Sequence, residues 1–396
     1  MMSLYLTLTL LEASVYKDTF IIDADGHIME AMPNAVPWEQ LLPDEYKAMA
    51  PKQVPFDTGG GRFFMEGKIW GKPNGGPRNV SNGRPTFDVH NERKGMVDPK
   101  VRIQHMDMEG IDTAVVFGTT VMIGSSALVD KGLGAAMAHA YNSWVHSFTQ
   151  HNPARLKGVA ALPLQNIEAA VMELHRAVTE LKFVGTGIGP RSPEHNLHDP
   201  YFDPLWREAE SLNAAVCTHM SNALHRLEGP GVERFTGRFF PHLICHPFEQ
   251  MTAMACIVAG GVIDRFPKLR VAFLEGGLGW VPFWMDRLDE HYESLGHELT
   301  IKAKPSEYIM SGQVFVSFEV DERTLDTIGK YFRDDRILYA SDYWHFDGKF
   351  PGSVKAIMDR SDLTANFKKK VMGQNASVLF NLPYGKIDGK SNGKRK

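Results

Sequence analysis

Phe20-Ile21-Ile22-Asp23-Ala24-Asp25-Gly26-His27 runs from an apolar, β-branched segment into a carboxylate and an imidazole two residues apart. Residues i and i+2 of a strand share one face, so Asp25 and His27 project together, with Gly26 leaving room between them. Alone, such a triplet reads equally as a hydrogen-bonded pair. Its weight comes from the rest of the chain, where His219, Glu275 and Asp342 stand at or just beyond the ends of later strand-like runs.

Those runs are 113–117, 157–162, 183–188, 214–219, 270–274, 314–318 and 336–341. Between them lie amphipathic stretches of helical period at 135–151, 167–181, 203–212, 252–266, 280–291 and 323–331. A first helix is expected over Pro99 to Glu109, with Asp98 as its N-cap and Gly110 as its stop. Together with the opening strand, this alternation predicts a (β/α)8 TIM barrel of the α/β class. A doubly wound open sheet is the alternative; no G-x-G-x-x-G or Walker-type loop follows any strand to support it.

The barrel is expected to span 19–382, with a long insertion after the first strand at 31–97. That insertion is rich in Gly, Pro and Asn, as in Gly59-Gly60-Gly61 and Lys72-Pro73-Asn74-Gly75-Gly76-Pro77. Loops of such length commonly act as lids or subunit contacts. Residues 1–18 read as an N-terminal arm: the run Met2 to Leu11 has no basic flank or cleavage pattern of a secretion signal and is too short to span a bilayer. Residues 383–396 read as a basic disordered tail.

Composition narrows the function classes. The chain has 396 residues, 43% hydrophobic and 23% charged, with a formal net charge of -4. This is the profile of a soluble globular protein, without the basic excess of a nucleic-acid binder or a membrane span. Cys217, Cys245 and Cys256 form no C-x-x-C pair and read as reduced thiols, which predicts a cytoplasmic location.

In such a barrel the C-terminal strand ends surround one mouth, so His27, His219, Glu275 and Asp342 are predicted to converge there. A site of carboxylates and imidazoles suits a divalent transition metal. His246, in Cys245-His246-Pro247-Phe248-Glu249-Gln250, joins them if its segment folds back over the mouth. Arg191 and His195 follow the fourth strand and are candidate substrate-binding residues, as is His345 beside Asp342; arginine is suited to bidentate pairing with a carboxylate.

Asp25-Gly26-His27, Thr218-His219, Arg265-Phe266-Pro267-Lys268-Leu269-Arg270 and Ser341-Asp342-Tyr343, in this order over most of Phe20 to Leu382, resemble the amidohydrolase superfamily. The branch is the amidohydrolase-2 group, which includes aminocarboxymuconate semialdehyde and resorcylate-type decarboxylases. The resemblance implies a metal held by Asp25, His27, His219 and Asp342. It names zinc first, with manganese or iron in some members. It also implies a homo-oligomer, with a hetero-oligomer as alternative. Glu275 stands where decarboxylase-like members carry a strand-end histidine, so it is read both as a ligand and as a general base. Glu275, His246 and Asp342 are the candidate catalytic residues.

These features predict a metal-dependent enzyme that acts on a small carboxylated or aromatic compound by hydrolysis or non-oxidative decarboxylation. One alternative is a dinuclear iron or manganese oxygenase, since three carboxylates and three imidazoles exceed what one zinc needs. Another is a non-catalytic subunit of a hetero-oligomer.

Overall fold

A computed structural model of the chain describes residues 19–30, 35–54, 62–70, 93–220, 229–230, 234–235, 239–343, 345 and 348–385. The expected arm and most of the expected tail lie outside them. The barrel strands are β1 (Ile22–Ile28), β5 (Thr113–Gly118), β6 (Leu156–Ala160), β7 (Gly185–Ile188), β8 (Ala215–Thr218), β9 (Val271–Phe273), β10 (Val314–Phe318) and β11 (Ile337–Tyr339). They are parallel and pair in chain order. Nearly every residue on them is buried, as expected for strands with a packed barrel inside and helices outside.

The main outer helices are α1 (Pro99–Glu109), α2 (Lys131–Thr149), α3 (Ile167–Thr179), α4 (Asp203–Ser211), α5 (Phe239–Val258), α6 (Val281–Leu295) and the short α7 (Ser353–Met358). Helix α1 has the expected bounds: the Asp98 carboxylate accepts the Lys100 N–H at 2.9 Å, and Gly110 ends it in the left-handed region at φ 82°. Helix α5 departs from expectation. It begins at Phe239, before Pro247, where the sequence predicts a start at Thr252; a proline in mid-helix removes one backbone donor yet does not end the helix here. Near the end of the barrel, the predicted 323–331 helix is reduced to Leu325–Ile328.

Within 31–97 the described residues include a small antiparallel sheet of β2 (Lys52–Val54), β3 (Arg62–Met65) and β4 (Lys68–Trp70). Phe63, Met65 and Trp70 join the core, and the Glu66 carboxylate ties the sheet to the approach of α2 by accepting the Val129 and Asp130 N–H groups at 3.0 and 2.9 Å. No helix among the described residues is long and apolar enough to cross a membrane.

The barrel closes just past β11. Asp342 N–H donates to Asp25 O at 3.1 Å and His27 N–H to Tyr343 O at 2.7 Å, which seals the segment 341–343 against β1. Beneath this seam lies a buried clasp. Asp23 accepts the Ser341 N–H at 2.9 Å and the Ser341 hydroxyl at 2.6 Å, while Arg102 of α1 donates to His27 O at 2.7 Å and lies 3.9 Å over the Tyr343 ring. Gly26 serves this clasp rather than a metal ion: a Cβ there would stand 2.3 Å from Arg102 Nη2 and 2.7 Å from Asp23 Oδ2, on the face opposite Asp25 and His27.

A second buried carboxylate holds α7. Glu109 accepts the Gly352 N–H at 2.5 Å, the Ser353 hydroxyl at 2.7 Å and the Val354 N–H at 3.4 Å, and so satisfies donors that the first turn of α7 leaves open. Glu109→Ala is expected to lower stability by about 1–3 kcal/mol through those orphaned donors. Urea denaturation checks this; an unchanged midpoint would show that water replaces the carboxylate.

Candidate metal centre

Every residue named from the sequence as a metal ligand lies in one buried cluster at the mouth. Asp25 and His27 come from β1, His219 follows β8, Glu275 closely follows β9 and Asp342 follows β11. His27 Nε2 and His219 Nε2 face each other at 3.2 Å, and each has an Asp25 oxygen at 3.4 Å. Asp342 Oδ1 is 3.3 Å from His27 Nε2. Donor atoms of Asp25, His27 and His219 thus lie within 4.8 Å of one another, as do those of His27, Asp342 and His345.

Glu275 sits on the other side of His219. Its Oε2 is 3.4 Å from His219 Nδ1 and 3.5 Å from His246 Nε2, and its Oε1 is 3.6 Å from His345 Nδ1. One carboxylate therefore faces three imidazoles. With Nδ1 of His219 turned to Glu275 at 3.4 Å, its Nε2 points toward Asp25 and His27.

His246 reaches the cluster because α5 starts early and lies against the mouth. Its Nδ1 donates to His242 O at 3.1 Å, which directs Nε2 at Glu275. His242 has a donor atom within the same group as His246 and Glu275. No sequence signal singled out His242, which lies on a helix expected to begin later. His345, read from sequence as a substrate contact, stands inside the cluster instead, 2.7 Å from Asp342 Oδ1 and stacked on the His27 ring at 4.0 Å. His195 pairs with Asp199 at 2.9 Å and stacks on Tyr201. Arg191 Nη1 donates to Ser192 O at 3.4 Å, and its charge acts on the buried Glu249 of α5.

The electrostatics match a site built for a cation. Burial raises the pKa of the Asp25 carboxyl even against the pull of His219. Burial and the neighbouring His345 and His219 hold His27 well below the usual histidine range. Burial also opposes the His219 cation, but Glu275 and Asp25 outweigh it and push that group up to about 9. Burial raises the Glu275 pKa, yet His246 and His219 prevail and hold it well below the usual range.

The residues present fit a divalent metal. Asp25 Oδ1 and Glu275 Oε2 are buried carboxylate oxygens with no hydrogen-bond partner, a costly condition in the absence of a cation. The donor set mixes carboxylate oxygen and imidazole nitrogen, as zinc, manganese and iron accept. Backbone strain marks the same place. Glu275 and Asp342 are non-glycine residues in the left-handed region, at φ 56° and 48°, a conformation that costs about 1–3 kcal/mol and clusters at functional sites.

Comparison with known proteins agrees with this architecture. The family model described as Amidohydrolase matches residues 22–382. The chain is 30% identical over 290 residues to 2-amino-3-carboxymuconate-6-semialdehyde decarboxylase of Dictyostelium discoideum, which covers 72% of this chain and 77% of that protein. It is 26% identical over 294 residues to gamma-resorcylate decarboxylase of Polaromonas sp., over 71% of this chain and 86% of that one. In fold it is similar to the 5-carboxyvanillate decarboxylase of Novosphingobium aromaticivorans, a structure with bound manganese, at a TM-score of 0.69 and 20% identity over 93% and 98% of the two chains. The chain belongs to the amidohydrolase family, in the branch that holds these decarboxylases.

Proposed function

We propose that the protein is a metal-dependent carboxy-lyase that removes carbon dioxide, without redox change, from a small aromatic acid. The observation that carries this reading is the buried clustering of Asp25, His219 and Asp342 around His27 at the mouth, in a chain of the decarboxylase-bearing branch. Zinc or manganese is the ion we assign to these four residues, and when bound it would polarise the substrate's oxygens as a Lewis acid.

Decarboxylation exchanges a carboxylate on carbon for a proton, so the site needs an acid. His246 supplies it in this reading. Burial opposes its charge, but the Glu275 carboxylate 3.5 Å away overrides that and keeps the imidazolium populated. Arg191, on the loop after β7, is assigned to the substrate's negative charge. His345 keeps Asp342 oriented through their 2.7 Å contact.

Hydroxylated benzoic acids, assayed for carbon dioxide release in heavy water, test the proposal. The expected product carries one deuterium where the carboxylate stood. Hydrolysis of esters or amides without carbon dioxide release would instead make the enzyme a hydrolase. The size of the cluster favours a second reading, a dinuclear iron or manganese oxygenase: Glu275, His246 and His345 add donors beyond the four-residue set. Oxygen consumption with two irons per chain would select it. A homo-oligomer and a cytoplasmic location belong to the proposal too; exposed Phe239, Leu243 and Phe248 along α5 support the former, and light scattering measures it.

A further inference from the structure

Helix α5 is fastened to the mouth by one side chain that the chemistry above does not use. Gln250 is fully buried, and its carboxamide makes three hydrogen bonds. Nε2 donates to Thr218 O at 3.1 Å and to Leu274 O at 2.8 Å, while Oε1 accepts the Thr218 hydroxyl at 2.6 Å. Thr218 and Leu274 are the residues immediately before His219 and Glu275. Both carbonyls must accept, so the amide orientation is fixed by its partners.

The same helix turn carries His246, four residues earlier and on the same face of α5. Close packing brings that face onto the strand ends. A Cβ on Gly276 would lie 3.0 Å from Gln250 Cγ and 3.6 Å from Pro247 Cα, so the backbone after Glu275 lies directly against α5. One amide thus joins three separate segments, each presenting one imidazole or carboxylate of the cluster.

We infer that Gln250 is a positioning residue of the metal centre, which holds His219, Glu275 and His246 in mutual register. This rests on the reading of the cluster as a metal site. Outer partners that orient ligands typically contribute 10–100-fold in metal affinity, and a carboxamide bridging two strand ends acts on two of these groups at once. A merely structural role predicts a different outcome, loss of stability without loss of affinity.

Asn375 provides the matched control. It too is buried and uses its Nδ2 to bridge two carbonyls, Asp334 O at 2.8 Å and Ile337 O at 2.7 Å, but it does so at the opposite end of β11. The experiment titrates Mn2+ into metal-stripped full-length chain, with thermal unfolding recorded on the same samples. Gln250→Met is expected to weaken Mn2+ binding by about 10–100-fold and to alter the visible spectrum of the Co2+-loaded chain. Asn375→Ala is expected to lower the unfolding temperature comparably while leaving Mn2+ affinity within about twofold. Thr218→Val, which removes the hydroxyl with its contacts to Gln250 Oε1 and Ala272 O, keeps the test open if Gln250→Met does not fold, and is expected to weaken binding to a smaller degree. Wild-type affinity in the folded Gln250 and Thr218 variants, or an equal loss in Asn375→Ala, would overturn the positioning role alone. A wild-type chain that binds no Mn2+ would overturn the metal-centre reading and this inference with it.

Discussion

His219→Ala is expected to reduce turnover by about 10³-fold or more while leaving the barrel folded. His219 presents Nε2 to Asp25 and His27 and Nδ1 to Glu275, so its loss removes one of the ligands proposed above and an imidazole that faces Glu275. A Lewis acid contributes several kcal/mol to stabilising charge in the transition state, and each 1.36 kcal/mol is about tenfold in rate. The side chain follows β8 and points into the mouth rather than the outer core, so far-UV circular dichroism should be native. Stability should report the same loss by another route. A ligand present at about 100 times its Kd stabilises the folded state by about 2.7 kcal/mol. Added Mn2+ should therefore raise the unfolding temperature of the wild type and not that of the variant. A variant that keeps wild-type turnover would remove His219 from the mechanism.

The second large effect is structural. Asp23→Ala is expected to destabilise the protein by about 1–3 kcal/mol, because it leaves buried donors without their acceptor and removes a carboxylate charge that acts on the buried Arg102. Burial raises the Asp23 pKa, and the Arg102 charge and the Ser341 hydrogen bonds pull it back, which is the signature of a carboxylate held by the clasp. Ser341 N–H and hydroxyl lose their acceptor in the same variant. Arg102→Met should cost less when added to Asp23→Ala than alone, since a double-mutant cycle removes the shared term. Gly26→Ala should be destabilising as well, with no charge changed, because its Cβ has no space. Chemical denaturation measures all four. Additive costs for Asp23→Ala and Arg102→Met would show that the two do not act together.

The fold was legible because the opening strand and its partners follow simple periodicities. Apolar runs of strand length alternate with helical ones, and α1 starts where the Asp98 carboxylate caps it and ends where Gly110, with no Cβ, turns left-handed. The cluster at the mouth was legible for a geometric reason: in a parallel barrel, a residue at a strand's C-terminal end has one place to point. That rule placed Asp25, His27, His219, Glu275 and Asp342 together.

Residues outside strand ends follow no such rule. The helical pattern starts at Thr252, beyond Pro247, so the longer course of α5 and the arrival of His242 were not readable, and His246 entered only through a fold-back that the sequence leaves open. His345 looks like one more polar loop residue until the turn after Asp342 brings it back, with its N–H bonded to Asp342 O at 2.9 Å. His195 is read as a substrate contact because it lies near the end of β7; its pairing with Asp199 four residues on is a local contact that no strand-end rule foretells. Gly26 was misread in role because the clasp beneath it depends on Arg102, far along the chain.

In the function proposed above, Asp25, His27 and His219 hold a divalent ion. Anomalous scattering from crystals of Mn2+-loaded protein tests it most directly. A peak is expected within coordination distance of Asp25, His27 Nε2 and His219 Nε2, absent from crystals of Asp25→Ala grown under the same conditions. No peak among these residues, or a peak that persists undiminished in Asp25→Ala, would contradict it.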